Sequence, residues 1–111
     1  MHIYRVDKFA VPHAARGEFL AAVRTTHDFL RTQPGFIRDV VLAQTSGPGD
    51  FNFVSIVEWE SADSVEKARA AVLAMQRKAN FDPQELRARL GIRADVGEYR
   101  AIDSSSMYPG P

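Results

Sequence analysis

The stretch Phe51 to Ser61, FNFVSIVEWES, constrains the fold more than any other part of the chain. It is too short and too rich in aromatic and branched residues to be a helix, and it reads as a strand. Phe51, Phe53, Ser55, Val57 and Trp59 fall on one face. Asn52, Val54, Ile56, Glu58 and Glu60 fall on the other. Neither face turns polar before Glu58. A strand apolar on both sides belongs in the middle of a sheet that is covered on both sides. Left in water, the aromatic face and its neighbours would form a patch of roughly 400 Å² or more, which monomers seldom carry. Helices can cover one face. In a chain of 111 residues, the expected cover for the other is a second copy of the protein.

That length allows one domain with its own core. The remaining segments supply the partners the central strand needs. His2 to Ala10 sets Ile3, Arg5, Asp7 and Phe9 against Tyr4, Val6 and Ala10, a first strand that ends at Pro12. His13 to Thr32 carries Phe19, Leu20, Val23 and Leu30 at helical spacing, with Arg16, Thr26 and His27 on or beside that stripe. Gln33-Pro34-Gly35 stops this helix. Phe36 to Gln44 is a second strand, joined by the Gly/Pro loop Thr45 to Asp50 to the central stretch as a hairpin.

Ser61 is placed to cap a second helix from Ala62 to Lys78, striped by Val65, Ala68, Val72, Met75 and Ala79. Arg69 and Gln76 lie on the edge of that stripe. Asp82-Pro83-Gln84-Glu85 starts a short helix that Gly91 ends. Asp95 to Ile102 is the expected last strand. Asp103 to Pro111 is a polar tail, expected to be disordered or to lie over a partner subunit. The domain is therefore 1–102, with the tail at 103–111.

The order β-α-β-β-α-β gives the fold class: α+β, with a ferredoxin-like split βαβ plan. Right-handed crossovers place both helices on one face of a four-stranded antiparallel sheet, with the first and third strands central.

Composition excludes several functions. Lys plus Arg and Asp plus Glu are equal at 14 each, which argues against nucleic acid or a membrane surface as partner. With no cysteine there is no disulfide framework, thiolate nucleophile or cysteine metal site. Charges interrupt the apolar run at the start, MHIYRVDKFAV, so it is neither a signal peptide nor a spanning helix, and a cytoplasmic location is the default. His2 and His13 are expected at the surface. The three histidines show no HxH or HxxxH spacing, so no metal is expected.

The Pro34-Gly35-Phe36 turn, Phe19 near the start of the first helix, and the junction Glu58-Trp59-Glu60-Ser61 running straight into a helix resemble the antibiotic biosynthesis monooxygenase family, of the dimeric α+β barrel superfamily. The resemblance covers about Met1 to Ile102. It implies a homodimer in which two sheets face each other, with a pocket between helices and sheet in each subunit. It implies chemistry on a small aromatic or quinol-type ligand, carried out in some members without metal or flavin. There, the deprotonated substrate itself passes an electron to O₂, so no cofactor is expected. Quinone-forming members have Asn four residues ahead of the tryptophan, where this chain has Ser55. Haem-degrading members ligate iron through a histidine on the second helix, and Ala62 to Lys78 contains none. Haem degradation is therefore not expected.

On this basis His27, on the inner flank of a helix, is the candidate base, since imidazole changes charge near neutral pH. It equally suits a satisfied helix-edge histidine. Arg69 and Gln76 are candidates to orient a substrate oxygen, although Arg69 could simply pair with Glu58 or Glu60. Trp59 is a candidate pocket wall and also fits a plain core aromatic. Tyr4, Asn52, Ser55 and Tyr99 are strand polar groups that line a pocket if their face is the inner one, and interface groups if it is not. The leading expectation is a cofactor-independent, monooxygenase-like homodimer. The alternatives are a non-catalytic small-molecule-binding or structural dimer, and an isomerase or decarboxylase on the same barrel.

Overall fold

The computed structural model describes residues 1–108. The end of the expected tail, Pro109 to Pro111, lies outside the described residues. The sheet is antiparallel, in the order β2-β3-β1-β4. Its strands are β1 (Ile3–Ala10), β2 (Phe36–Ala43), β3 (Phe53–Trp59) and β4 (Arg93–Tyr99). The helices are α1 (Arg16–Leu30), α2 (Ala62–Lys78), α3 (Pro83–Leu90) and a single turn, α4 (Ser104–Met107). The expected fold class holds, with β1 and β3 central and the stretch around Ser55 at the heart of the sheet.

The register fixes which side chains face the helices. Ser55 lies opposite Asp7 of β1 and Val41 of β2, and Val57 lies opposite Arg5 and Asp39. These residues share the helix-covered face with Phe53 and Trp59. The core under the helices has two parts. One packs Val11, Ala15, Phe19, Phe53 and Ile92 together. The other packs Val57, Trp59, Val65 and Ala68, flanked by Ile3, Leu30 and Phe36. Along β3 the polar Ser55 falls between Phe53 of the first cluster and Val57 of the second.

The turn before β2 and the junction after β3 lock together. Gly35 adopts a φ of +86°, open to glycine and strained for other residues. A Cβ there would lie 2.1 Å from Ser64 Oγ, so only glycine lets the turn approach α2 this closely. The Glu60 N–H donates to the Gly35 carbonyl at 2.8 Å. The Phe36 ring meets Trp59 edge to face, with centroids 5.8 Å apart. Ser61 caps α2 by accepting the Ser64 N–H at 3.2 Å.

Several boundaries differ from the sequence expectation. His13 to Ala15 form a 3-10 turn after Pro12, and α1 starts at Arg16. The last strand runs from Arg93 to Tyr99 rather than from Asp95 to Ile102. Pairing with β1 starts at once, at Ala10–Arg93, because Ile92 is buried in the first core cluster and delivers the chain to the sheet edge. Gly97 makes room for the Tyr99 ring, whose Cε1 would be 3.0 Å from a Cβ at that position. The start of the tail is ordered as α4, capped by Asp103 accepting the Ser105 N–H at 3.1 Å.

The opposite face of the sheet carries Tyr4, Val6, Val54, Ile56, Val40, Leu42 and Tyr99, and no helix among the described residues covers it. Val40 is 44% exposed and Leu42 is 48% exposed. Among the described residues, no helix is long and apolar enough to cross a membrane.

Candidate functional site

Against the second core cluster, under α1 and α2, lies a cavity of about 200 Å³. Leu30, Val57, Trp59, Val65, Ala68 and Val72 make its apolar wall. Its polar groups come from four elements: Arg5 and Asp7 of β1, Thr26 and His27 of α1, Ser55 of β3, and Arg69 of α2.

His27 is buried, and both its ring nitrogens are engaged. Nδ1 lies 2.8 Å from Asp39 Oδ2, and Nε2 lies 2.8 Å from Ser55 Oγ. The Asp39 carboxylate also accepts from Arg31, Nε to Oδ2 and Nη2 to Oδ1, each at 3.2 Å. Burial pushes the Asp39 carboxyl up, but hydrogen bonds from Arg31 and His27 outweigh it and hold the group below the usual carboxylate range. An ionised Asp39 can only accept, so the His27 Nδ1–H must donate to it. In the neutral ring Nε2 is then an acceptor, and the Ser55 hydroxyl donates to it. Asp39, His27 and Ser55 thus form one directed chain of hydrogen bonds that ends in the cavity.

At the other polar end, Arg5 Nε donates to Asp7 Oδ1 at 2.9 Å. Arg69 Nη2 donates to Glu98 Oε1 at 3.1 Å and lies 3.6 Å from Glu66 Oε1. Arg69 does not reach Glu58 or Glu60, because Glu58 sits on the opposite face of the sheet. There Glu58 is buried between Arg38 Nε at 2.6 Å and His2 Nδ1 at 2.7 Å. Burial raises the Glu58 carboxyl, and these two partners bring it below its ordinary value.

Of the residues singled out from sequence, His27, Ser55, Trp59 and Arg69 meet at this cavity. Trp59 is a buried wall residue of the second core cluster. Four do not belong to it. Gln76 lies one turn past Val72 and Leu73 on α2 and borders a separate groove with Asn80 and Phe81. Tyr4 and Tyr99 pair with each other across β1 and β4 on the uncovered face. Asn52 clamps the end of β1: its side chain accepts the Val11 N–H and donates to the Val11 carbonyl, both at 2.8 Å. Asp39, Arg5 and Asp7 were not singled out. Each is a charge inside an apolar strand on the face that register turns toward the helices, and that misplacement is the signal that could have found them.

The described residues contain no cluster of three or more histidine, cysteine or carboxylate side chains able to hold a metal. His27 is the histidine at the cavity, and both its nitrogens already have protein partners.

A family model described as antibiotic biosynthesis monooxygenase matches residues 2–76. No curated protein sequence matches the chain. Among solved structures the chain is similar to SnoaB of Streptomyces nogalater, described as a cofactor-independent oxygenase. That match has 24% identity and a TM-score of 0.65, and covers 93% of this chain and 95% of that one. It is also similar to MhuD, solved with manganese protoporphyrin IX, at 16% identity and a TM-score of 0.70, covering 92% and 96%. Rv0793 of Mycobacterium tuberculosis matches at 14% identity and a TM-score of 0.65, covering 95% and 99%. Identities this low establish the shared fold.

Proposed function

The chain belongs to the antibiotic biosynthesis monooxygenase family, and from that premise we propose that it is a cofactor-independent, monooxygenase-like enzyme of the cytoplasm, acting as a homodimer on a small aromatic or quinol-type substrate. The observation that carries this reading is an apolar cavity with one buried base at its wall. A cavity of about 150 Å³ is enough to admit benzene. One of about 200 Å³ with an open mouth suits one or two fused rings. The walls of Val57, Trp59, Val65 and Val72 hold such rings by burial and stacking.

The chemistry asks little of the protein. A phenol or an activated CH₂ becomes electron-rich when it loses a proton, and its anion can then pass an electron to O₂. In the overall reaction a ring CH₂ and O₂ give a carbonyl and water. The chain's residues bind the ring, take the proton and stabilise the anion. The His27 imidazole, held by Asp39, is the base. Arg69 and Arg5, already neutralised by Glu98 and Asp7, offer N–H groups to a substrate oxygen. The same base also suits isomerisation or decarboxylation, and dependence on O₂ separates those reactions from this one.

The test is O₂ uptake by metal-stripped protein across hydroquinones, anthrones and dihydroxynaphthalenes. Uptake above buffer that falls by about 10²–10⁴-fold in His27→Ala is expected, the usual contribution of a general base. Turnover of a panel compound without O₂ would replace the oxygenase with a proton-transfer enzyme.

A further inference from the structure

We infer that Ser55 is the catalytic residue that meets the substrate's acidic hydrogen, and that a relay from Ser55 through His27 to Asp39 carries the proton from the cavity toward the opposite side of α1. This rests on the reading of the cavity as a site of deprotonation.

The relay follows from the occupancy of the two ring nitrogens. The basic nitrogen of His27, Nε2, already accepts from the Ser55 hydroxyl, with Oγ 2.8 Å away. A substrate entering the cavity therefore meets the Ser55 oxygen, whose remaining lone pairs can accept. As the substrate's O–H proton moves to Ser55 Oγ, the proton Ser55 carried moves to Nε2. The O–H bond of the substrate breaks, one forms at Oγ, the old one at Oγ breaks, and an N–H forms. The products are a substrate anion, a neutral Ser55 and an imidazolium whose Nδ1–H already points at Asp39. No oxidant or further reactant is consumed in this step.

The surroundings favour transfer through Ser55 over charge held on it. Asp7 lies directly across the ladder on the same face, and a carboxylate there opposes a standing alkoxide at Ser55. The imidazolium is the favoured resting place for the positive charge, because Asp39 faces it from β2. The other charged groups nearby are Arg24 and Asp28 on α1, Arg31 at its C-terminal cap, Arg5 on β1 and Arg69 on α2. Arg31 keeps Asp39 ionised. His27 also borders a second groove, where Arg24, Asp28, Arg31 and Asp39 meet the apolar Leu20, Val23, Val40 and Val41. His27 thus touches both the cavity and this second, mixed groove.

Two measurements test the relay, and neither involves O₂. The first is nitrogen NMR of ¹⁵N-histidine-labelled wild-type protein, which reads the ring tautomer directly. The Nδ1–H form with an unprotonated, hydrogen-bonded Nε2 is expected for His27, and Asp39→Asn should lose that preference. The second follows ionisation of a dihydroxynaphthalene under argon by its naphtholate absorbance. Wild type should ionise the probe at a pH at least one unit below that in buffer, a tenfold shift in the equilibrium. Ser55→Ala should abolish the shift, and Ser55→Thr, which keeps a hydroxyl, should restore most of it. An Nε2–H tautomer in the wild type would overturn the relay without any variant being made. So would a probe ionised equally by Ser55→Ala and wild type, or by neither. A relay that passes both measurements in a protein that consumes no O₂ would stand, and the oxygenase reading would fall.

Discussion

Ser55 occupies the one position on the covered face of β3 where an apolar side chain would have joined the two halves of the core. A hydroxyl there costs packing, and its compensation is the bond to His27. Asp39 completes the set, and its role shows in the difference between two substitutions. Asp39→Asn keeps the shape and removes the acceptor that fixes the Nδ1–H tautomer, so kcat should fall about 10–100-fold with KM little changed, read by steady-state kinetics. Arg31→Ala, further out, should cost less than tenfold. A second buried carboxylate allows a test of the electrostatics away from the cavity. The Glu58 carboxyl is held below its ordinary value, so the stability it adds is complete above the unfolded value of about 4 and is lost as the pH falls through the lower native value. Glu58→Gln should therefore be less stable than wild type at pH 7, with the gap closing at acid pH. Urea unfolding at both pH values checks this, and a gap independent of pH would refute it.

At the scale of elements, the parts legible in the sequence were those written in local chemistry. Ser61 before α2, Asp82 and Pro83 before α3, and Gly91 after it act at those ends as their residue types dictate. The alternation along Phe53 to Trp59 assigned the faces of β3 correctly. What sequence could not give was register, which depends on how distant strands slide against one another. Asp39 meets His27 only because β2 pairs with β3 through Asp39–Val57, with an irregularity between Phe36 and Arg38. Tyr4 and Tyr99 stayed open between pocket and interface for the same reason, since one residue of slip exchanges the two faces. The turn at Gly35 gives a prediction at this level. Gly35→Ala combines a left-handed φ with a collision against Ser64, and should destabilise by about 2–3 kcal/mol in urea unfolding. Adding Ser64→Gly should recover the collision part and leave the backbone part. A pair of changes that simply add would show that the turn does not dock on α2 as described.

For the whole molecule, the uncovered face of the sheet is the feature that bears on assembly. Val40, Leu42 and Tyr99 are exposed there, beside half-buried Val54 and Ile56, an arrangement that suits a second copy of the chain packed sheet to sheet. Ile56→Lys sits at the centre of that face, and in sedimentation at micromolar concentration it should turn a dimer into a folded monomer. A wild type that sediments as a monomer would remove the homodimer from the account. In the proposed function, the protein prepares an anion before O₂ takes part. Rapid mixing tests it most directly: a panel substrate is bound to the protein under argon, its absorbance is recorded, and O₂ is then admitted. The account requires the anion's absorbance to form before O₂, to be absent in His27→Ala, and to decay on mixing with one O₂ consumed per substrate. A substrate that stays protonated under argon and still reacts when O₂ arrives, or an anion that is indifferent to O₂, would contradict it.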